Sequence, residues 1–154
     1  MLNINICIQL CYKFKIWILF ILKFSILAQS RPVHTYNLEW TQYHSLEDIN
    51  SWMDAMILNH FPHVRGIVIG YSYEGRPIRG LKLSKRRGNK AIFLESSIHA
   101  IEWISSATST CFFNQLLTSN SIEMKELSES YDWHYIPVMN PDGFIYSHNV
   151  VSSA

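Results

Sequence analysis

The chain has 154 residues, of which 48% are hydrophobic and 16% charged, a composition that excludes an intrinsically disordered protein and suffices for one modest domain. Thirteen basic against twelve acidic side chains leave a formal charge of +1, so no global field draws the chain to nucleic acid or to an anionic membrane. Partners must follow from local chemistry.

The first thirty residues differ in kind from the rest. Residues 16–28 read IWILFILKFSILA, an apolar run broken only by Lys23 and Ser25 and preceded by Lys13 and Lys15. Ala28-Gln29-Ser30 then offers small residues where a signal peptidase cleaves. Residues 1–30 are therefore expected to be a signal peptide, with Arg31 the mature start and a secreted product. An uncleaved anchor is the alternative, but the apolar stretches on either side of Lys23 fall short of the ~20 residues that a spanning helix needs. Cleavage removes Cys7 and Cys11, so the mature chain keeps Cys111 alone and forms no internal disulfide. Its setting, TSTCFFNQLL, predicts a buried structural thiol.

Ser45-Leu46-Glu47-Asp48 resembles a capping box, and Leu46, Ile49, Trp52, Met53, Met56 and Ile57 recur at helical spacing behind it. The helix should run to about His60, with Pro62 beyond it. Residues 64–71 are rich in β-branched side chains, Gly75-Arg76-Pro77 carries turn chemistry, and residues 78–84 alternate, which predicts two strands joined by a short turn. The cluster Lys85-Arg86-Arg87-Gly88-Asn89-Lys90 reads as a solvated loop, because no aromatic residues interleave with its charges as stacking on nucleic acid requires. Ala91 to Glu95, AIFLE, predicts a buried strand. Residues 101–118 predict a largely buried helix, Ser121 caps a shorter one to about Ser130, and residues 133–139 give a last strand. Strands and helices in this order indicate an α/β layer architecture in one domain, residues 31–154.

The junction after AIFLE carries the chemistry. It reads Ser96-Ser97-Ile98-His99-Ala100-Ile101-Glu102-Trp103. A histidine and a glutamate three residues apart on a helical turn can converge on one cation, and the position follows a strand's carboxyl end, where open α/β sheets place ligand sites. By spacing alone the signal is weak. A helix start with Glu102 near its amino terminus, or a histidine bonded to backbone, fits the same pattern.

His99-Ala100-Ile101-Glu102-Trp103-Ile104-Ser105 resembles the metal-binding motif of the carboxypeptidase A and B family of zinc metallopeptidases, usually His-Ala-Arg-Glu-Trp-Ile-Ser. Three further stretches match in the same order: Ser72-Tyr73-Glu74-Gly75-Arg76-Pro77-Ile78, Ser130-Tyr131-Asp132-Trp133 and Asn140-Pro141-Asp142-Gly143-Phe144. The resemblance covers residues 36–148. It implies a mixed β-sheet flanked by helices, a zinc cofactor, and His99 and Glu102 as two of three protein ligands. It also implies zinc-dependent hydrolysis at the carboxyl termini of peptides and proteins. Asn140 to Gly143 reads as a turn, Asp142 as structural, Arg76 as a scaffold contact and Trp103 as packing.

Two positions depart from the family pattern: Ile101 stands where arginine is usual, and Ser97 where glycine is common. Neither is a ligand, but Ile101 lacks a charge that would help hold a peptide. The resemblance places the third metal-binding histidine, the catalytic glutamate, the carboxylate-binding arginines and the specificity pocket beyond Asn149, so no catalytic residue is assigned within the chain. His148 follows the Asn-Pro-Asp-Gly stretch where a histidine is ordinary and is not expected to replace that ligand. The domain is accordingly expected to be truncated at its carboxyl end and to lack an activation segment in front. Such a form would be inactive alone; the alternatives to an enzyme are a secreted non-catalytic protein that binds an inhibitor or partner, and a fragment without function.

Overall fold

Ser45 starts the first helix because its side chain and that of Asp48 satisfy each other's backbone. The Asp48 N–H donates to Ser45 Oγ at 3.1 Å and the Ser45 N–H donates to Asp48 Oδ2 at 3.1 Å, the reciprocal bonds of a capping box. The computed structural model describes residues 38–152, with side chains to residue 150. The expected signal peptide lies outside them.

Helix α1 (Leu46–Asn59) buries Ile49, Trp52, Met53 and Met56. Strands β1 (Val64–Tyr71) and β2 (Pro77–Leu83) pair antiparallel, and β3 (Lys90–Glu95) follows. Helix α2 (Trp103–Thr118), helix α3 (Ile122–Ser130), strand β4 (Tyr131–Ile136) and helix α4 (Pro141–Ser152) complete the order. The sheet order is β1-β2-β4-β3, with β4 antiparallel to β2 and parallel to β3. This is the expected mixed sheet with helices. No helix among the described residues is long and apolar enough to cross a membrane.

One face of the sheet supplies Val64, Leu81, Leu83, Trp133 and Tyr135 to a core closed by Trp52, Met53 and Met56 of α1 and Phe113 and Leu116 of α2. Alternation sends Phe93, His134 and Lys82 to the other face. Phe93 is 56% exposed there. The expectation of a buried β3 is therefore corrected: β3 is an edge strand whose Ile92 and Leu94 touch the core while Ala91 and Phe93 do not. An apolar run cannot report strand order, which decides burial.

Four other expectations change. Helix α2 starts at Trp103, not at residue 101, and buries one face through Ser106, Ser109, Thr110, Phe113 and Leu116, while Ile104 stays exposed. Cys111 is consequently only half-buried. Asn140 to Gly143 is not a free-standing turn but the start of α4: Asn140 Oδ1 accepts the Gly143 N–H at 3.1 Å, and Pro141 occupies the first helical position, where its missing N–H matters least. The basic loop is partly docked, with Lys85 donating to Ser128 Oγ at 2.8 Å, Arg86 paired with Glu129, and Asn89 donating to the Glu129 carbonyl at 2.8 Å.

Gly80 lets β2 approach β4. A Cβ at this position would lie 2.3 Å from the Tyr135 carbonyl oxygen and 2.4 Å from Ile136 Cδ1. Gly80→Ala should therefore lower unfolding stability by about 2–3 kcal/mol, the scale of overpacking, read from the midpoint of urea denaturation. An unchanged midpoint would contradict the close approach.

Candidate metal site

Beyond Glu95 the β3–β4 pairing continues as irregular backbone bonds. The Ser96 N–H donates to the Ile136 carbonyl at 3.1 Å, the Met139 N–H to the Ser96 carbonyl at 2.9 Å, and the Asn140 N–H to the Ser97 carbonyl at 3.2 Å. Side chains add to this. Ser97 N–H donates to Ser105 Oγ at 3.2 Å, Asn140 Nδ2 to the Ile98 carbonyl at 3.4 Å, and Ser147 Oγ to the Ala100 carbonyl at 3.0 Å. Gly143 comes so close that a Cβ on it would sit 2.8 Å from Ala100 Cβ. The loop is thus held at Ser96, Ser97, Ile98 and Ala100 by the β4–α4 connection and by α2 and α4.

Within that frame His99 and Glu102 bracket a tight turn. The Glu102 N–H donates to the His99 carbonyl at 3.0 Å, and the Ser105 N–H to the Glu102 carbonyl at 3.0 Å. His99 lies ahead of α2 and Glu102 at its N-cap position, so the turn precedes the helix that sequence spacing suggested. Glu102 makes no capping bond with its side chain. Both residues are exposed. No hydrogen bond or ion pair engages either side chain among the described residues. Glu102 does stand at the helix start, as the first structural alternative has it, though its side chain caps nothing there, and the His99 ring is not bonded to backbone among the described residues.

Imidazole nitrogen and carboxylate oxygen are donors that suit zinc. Among the described residues no group of three or more His, Cys, Asp and Glu side chains that could hold a metal ion comes together. Ile101 between His99 and Glu102 is 75% exposed, and Ile98 and Ile104 also reach solvent. The rim of the turn is apolar where the family pattern carries a guanidinium.

The residues behind the turn carry roles that motif reading did not reach. Ser96 Oγ lies 2.7 Å from Ser109 Oγ and donates to the Pro137 carbonyl at 2.7 Å, and Ser109 Oγ lies 2.9 Å from the Tyr135 hydroxyl. This buried chain ties β4, α2 and the loop together. Burial pushes the Tyr135 phenol well above its ordinary range, against the smaller opposing effect of the Ser109 and Ser96 bonds. Serines 106 and 109 on an apolar helix were the only sequence signal for it. Trp103 packs as expected, donating to Ser147 Oγ at 2.9 Å and stacking on His148 with ring centroids 4.1 Å apart.

Asp142 joins α4 to the β1–β2 turn. It accepts from Ser72 Oγ at 2.8 Å, from the Glu74 N–H at 3.0 Å and from Arg76 Nη1 at 2.6 Å. Desolvation pulls its carboxyl upward, but the Glu74, Arg76 and Ser72 bonds outweigh it and hold the group below its ordinary value of 3.8. Arg76 and Asp142 are thus the scaffold contacts that the sequence indicated.

With this geometry in view, the sequence profile described as zinc carboxypeptidase matches residues 49–153. The chain belongs to the zinc carboxypeptidase family. It is 50% identical over 107 residues to a zinc carboxypeptidase of Simulium vittatum, covering 70% of this chain and 35% of that protein. It is 34% identical over 127 residues to the inactive metallocarboxypeptidase ecm14 of Talaromyces stipitatus, covering 76% of this chain and 21% of that one. The crystal structure of thrombin-activatable fibrinolysis inhibitor superposes with a TM-score of 0.66 at 35% identity, covering 70% of this chain and 28% of that chain. The chain therefore spans about a third or less of the length of these relatives.

The departure at position 97 now has a backbone meaning. Ser97 has φ +51° and is buried, and its hydroxyl has no hydrogen-bond partner among the described residues. A glycine would adopt this conformation without a Cβ penalty and bury no orphaned oxygen. Ser97→Gly should raise unfolding stability by about 1 kcal/mol, whereas Ser97→Val should lower it; thermal unfolding compares the three proteins.

Asp142 generates a pH signature. Because its folded pKa is depressed, its contribution is present above 3.8 and is lost as pH falls through the lower folded value. Asp142→Asn should flatten the acid limb of stability measured by denaturation at stepped pH. A variant with the acid limb unchanged would show that the clamp contributes nothing to it.

Proposed function

We propose that His99 and Glu102 are two protein ligands of a zinc ion, in a secreted metallocarboxypeptidase that hydrolyses peptide bonds at the carboxyl termini of peptides and proteins. The observation that carries this reading is a histidine and a glutamate with unengaged side chains, presented three residues apart by a turn whose backbone is fixed by its neighbours. Membership of the zinc carboxypeptidase family supports the choice of metal and of reaction class. A zinc ion, if held there, would supply Lewis-acid polarisation of a scissile carbonyl and would lower the pKa of a bound water.

The chain's own residues have definable parts in this. His99 contributes a ring nitrogen and Glu102 a carboxylate oxygen, and the bonds at Ser97, Ile98 and Ala100 fix the turn from which both project. Ile101 offers an approaching peptide apolar area and no charge. The third ligand and the general base have no assigned residue among those described. These two donors alone should bind zinc weakly, because a catalytic site normally has three protein ligands with supporting contacts.

A second reading, a secreted non-catalytic protein that binds an inhibitor or partner enzyme, has the support of one relative named as an inactive metallocarboxypeptidase. Zinc-dependent hydrolysis of a blocked dipeptide by the purified chain would refute it. For the ligand assignment, His99→Ala and Glu102→Gln should each weaken zinc affinity by about tenfold or more, measured by competition with a chromophoric chelator. Equal affinity in both variants and the unsubstituted chain would sink the assignment.

A further inference from the structure

The basic loop between β2 and β3 has no part in the candidate metal site, and the arginine at its tip is unengaged. Lys85 donates to Ser128 Oγ, Arg86 pairs with Glu129, and Asn89 donates to the Glu129 carbonyl. Arg87 makes no hydrogen bond or ion pair among the described residues. Arg86, Arg87 and Gly88 are exposed, and Gly88 turns the chain with φ +82°. Among the described residues no backbone bond outside the regular elements engages residues 85–89. The ties that hold the loop are thus one surface ion pair and two side-chain hydrogen bonds, which local opening breaks at small cost.

A serine endopeptidase of the trypsin class holds an arginine or lysine side chain over a buried aspartate, and it needs the backbone on both sides in extended form. Exposed loop tips meet that need most readily. The other basic side chains of the described residues do not. Arg65, Arg79 and Lys82 are held in the β1–β2 ladder, Lys90 in the β3–β4 ladder, and Lys125 inside α3. Arg76 is paired with Glu74 and Asp142, and the ring of Pro77 obstructs the bond that follows it. Gly88, with no side chain, leaves the bond after Arg87 open to approach.

We propose that the Arg87–Gly88 bond is a processing site for a trypsin-class serine endopeptidase, and that the cut protein persists as two non-covalently associated chains. Water adds its hydroxyl to the Arg87 carbonyl carbon and a proton to the Gly88 nitrogen as the bond between them breaks, so no further reactant is needed. Sheet order decides the fate of the product. Strands β2 and β3 do not pair with each other but flank β4, so the cut leaves Leu81, Lys82 and Leu83 bonded across to the other piece. Trp52 and Met53 before the cut share a core with Phe113 and Leu116 after it. Asp142 also keeps its bonds to Ser72 and Arg76 across the two pieces.

The test treats the full chain with a trace of trypsin and follows the pieces in time by mass spectrometry, scoring cuts within residues 38–152. The bond after Arg87 should be cut first, ahead of those after Arg65, Arg79, Lys82 and Lys125, and the two pieces should elute together from a native sizing column and separate in urea. Arg87→Gln should lose that cut; if the variant does not fold, the order of cutting in the unsubstituted chain decides. A first cut at any other bond of that range, or none in the loop, overturns the processing site. Pieces that separate without urea overturn the two-chain product.

Discussion

The short connection from Ile136 to Gly143 constrains everything around the candidate metal site. Strands β3 and β4 are parallel, so both chains leave the sheet at the same end and can go on bonding to each other after regular pairing stops. The connection takes up the backbone of Ser96 and Ser97 on one side, and through Asp142 it holds Ser72, Glu74 and Arg76 on the other. Three of the four matched sequence stretches meet there. Each bond adds about 1 kcal/mol net, but a buried group left without its partner costs more than that, so the segment is fixed as a unit.

The consequence for chemistry is a division of labour within seven residues. Ser96, Ser97, Ile98 and Ala100 give their backbone groups to the scaffold, and the side chains of His99 and Glu102 are left unengaged among the described residues. Metal sites need donors held in position before the ion arrives, since ordering them on binding subtracts from affinity. Gly143 and Ala100 show how tight the support is: there is no room for a further carbon between them. Ser97 is the poorly fitted part, a buried side chain in a left-handed backbone conformation that glycine adopts freely.

Local chemistry was legible in the sequence where neighbours along the chain decide the outcome. Ser45 and Asp48 satisfy each other, Ser121 caps α3, and the β1–β2 pair follows from alternation around Gly75. Asn140-Pro141-Asp142-Gly143 was ambiguous because a capped helix start and an isolated turn share their first bonds; Phe144, buried with Ile49 and Val138, continues it as helix. The exposure of Phe93 depends on β3 lying at the sheet edge, and the link between Arg76 and Asp142 spans 66 positions. No window of sequence contains either. The candidate pair itself was visible as a spacing, but the lack of competing partners for its side chains among the described residues is a property of the folded loop.

The most direct measurement is a zinc titration of the full chain followed at the ring nitrogens of its seven histidines. Coordination at the proposed site predicts that His99 responds first, with a ring-nitrogen shift that Glu102→Gln weakens and that leaves His134 unmoved. A first response at His60 and His63 with His99 unchanged would contradict the assignment.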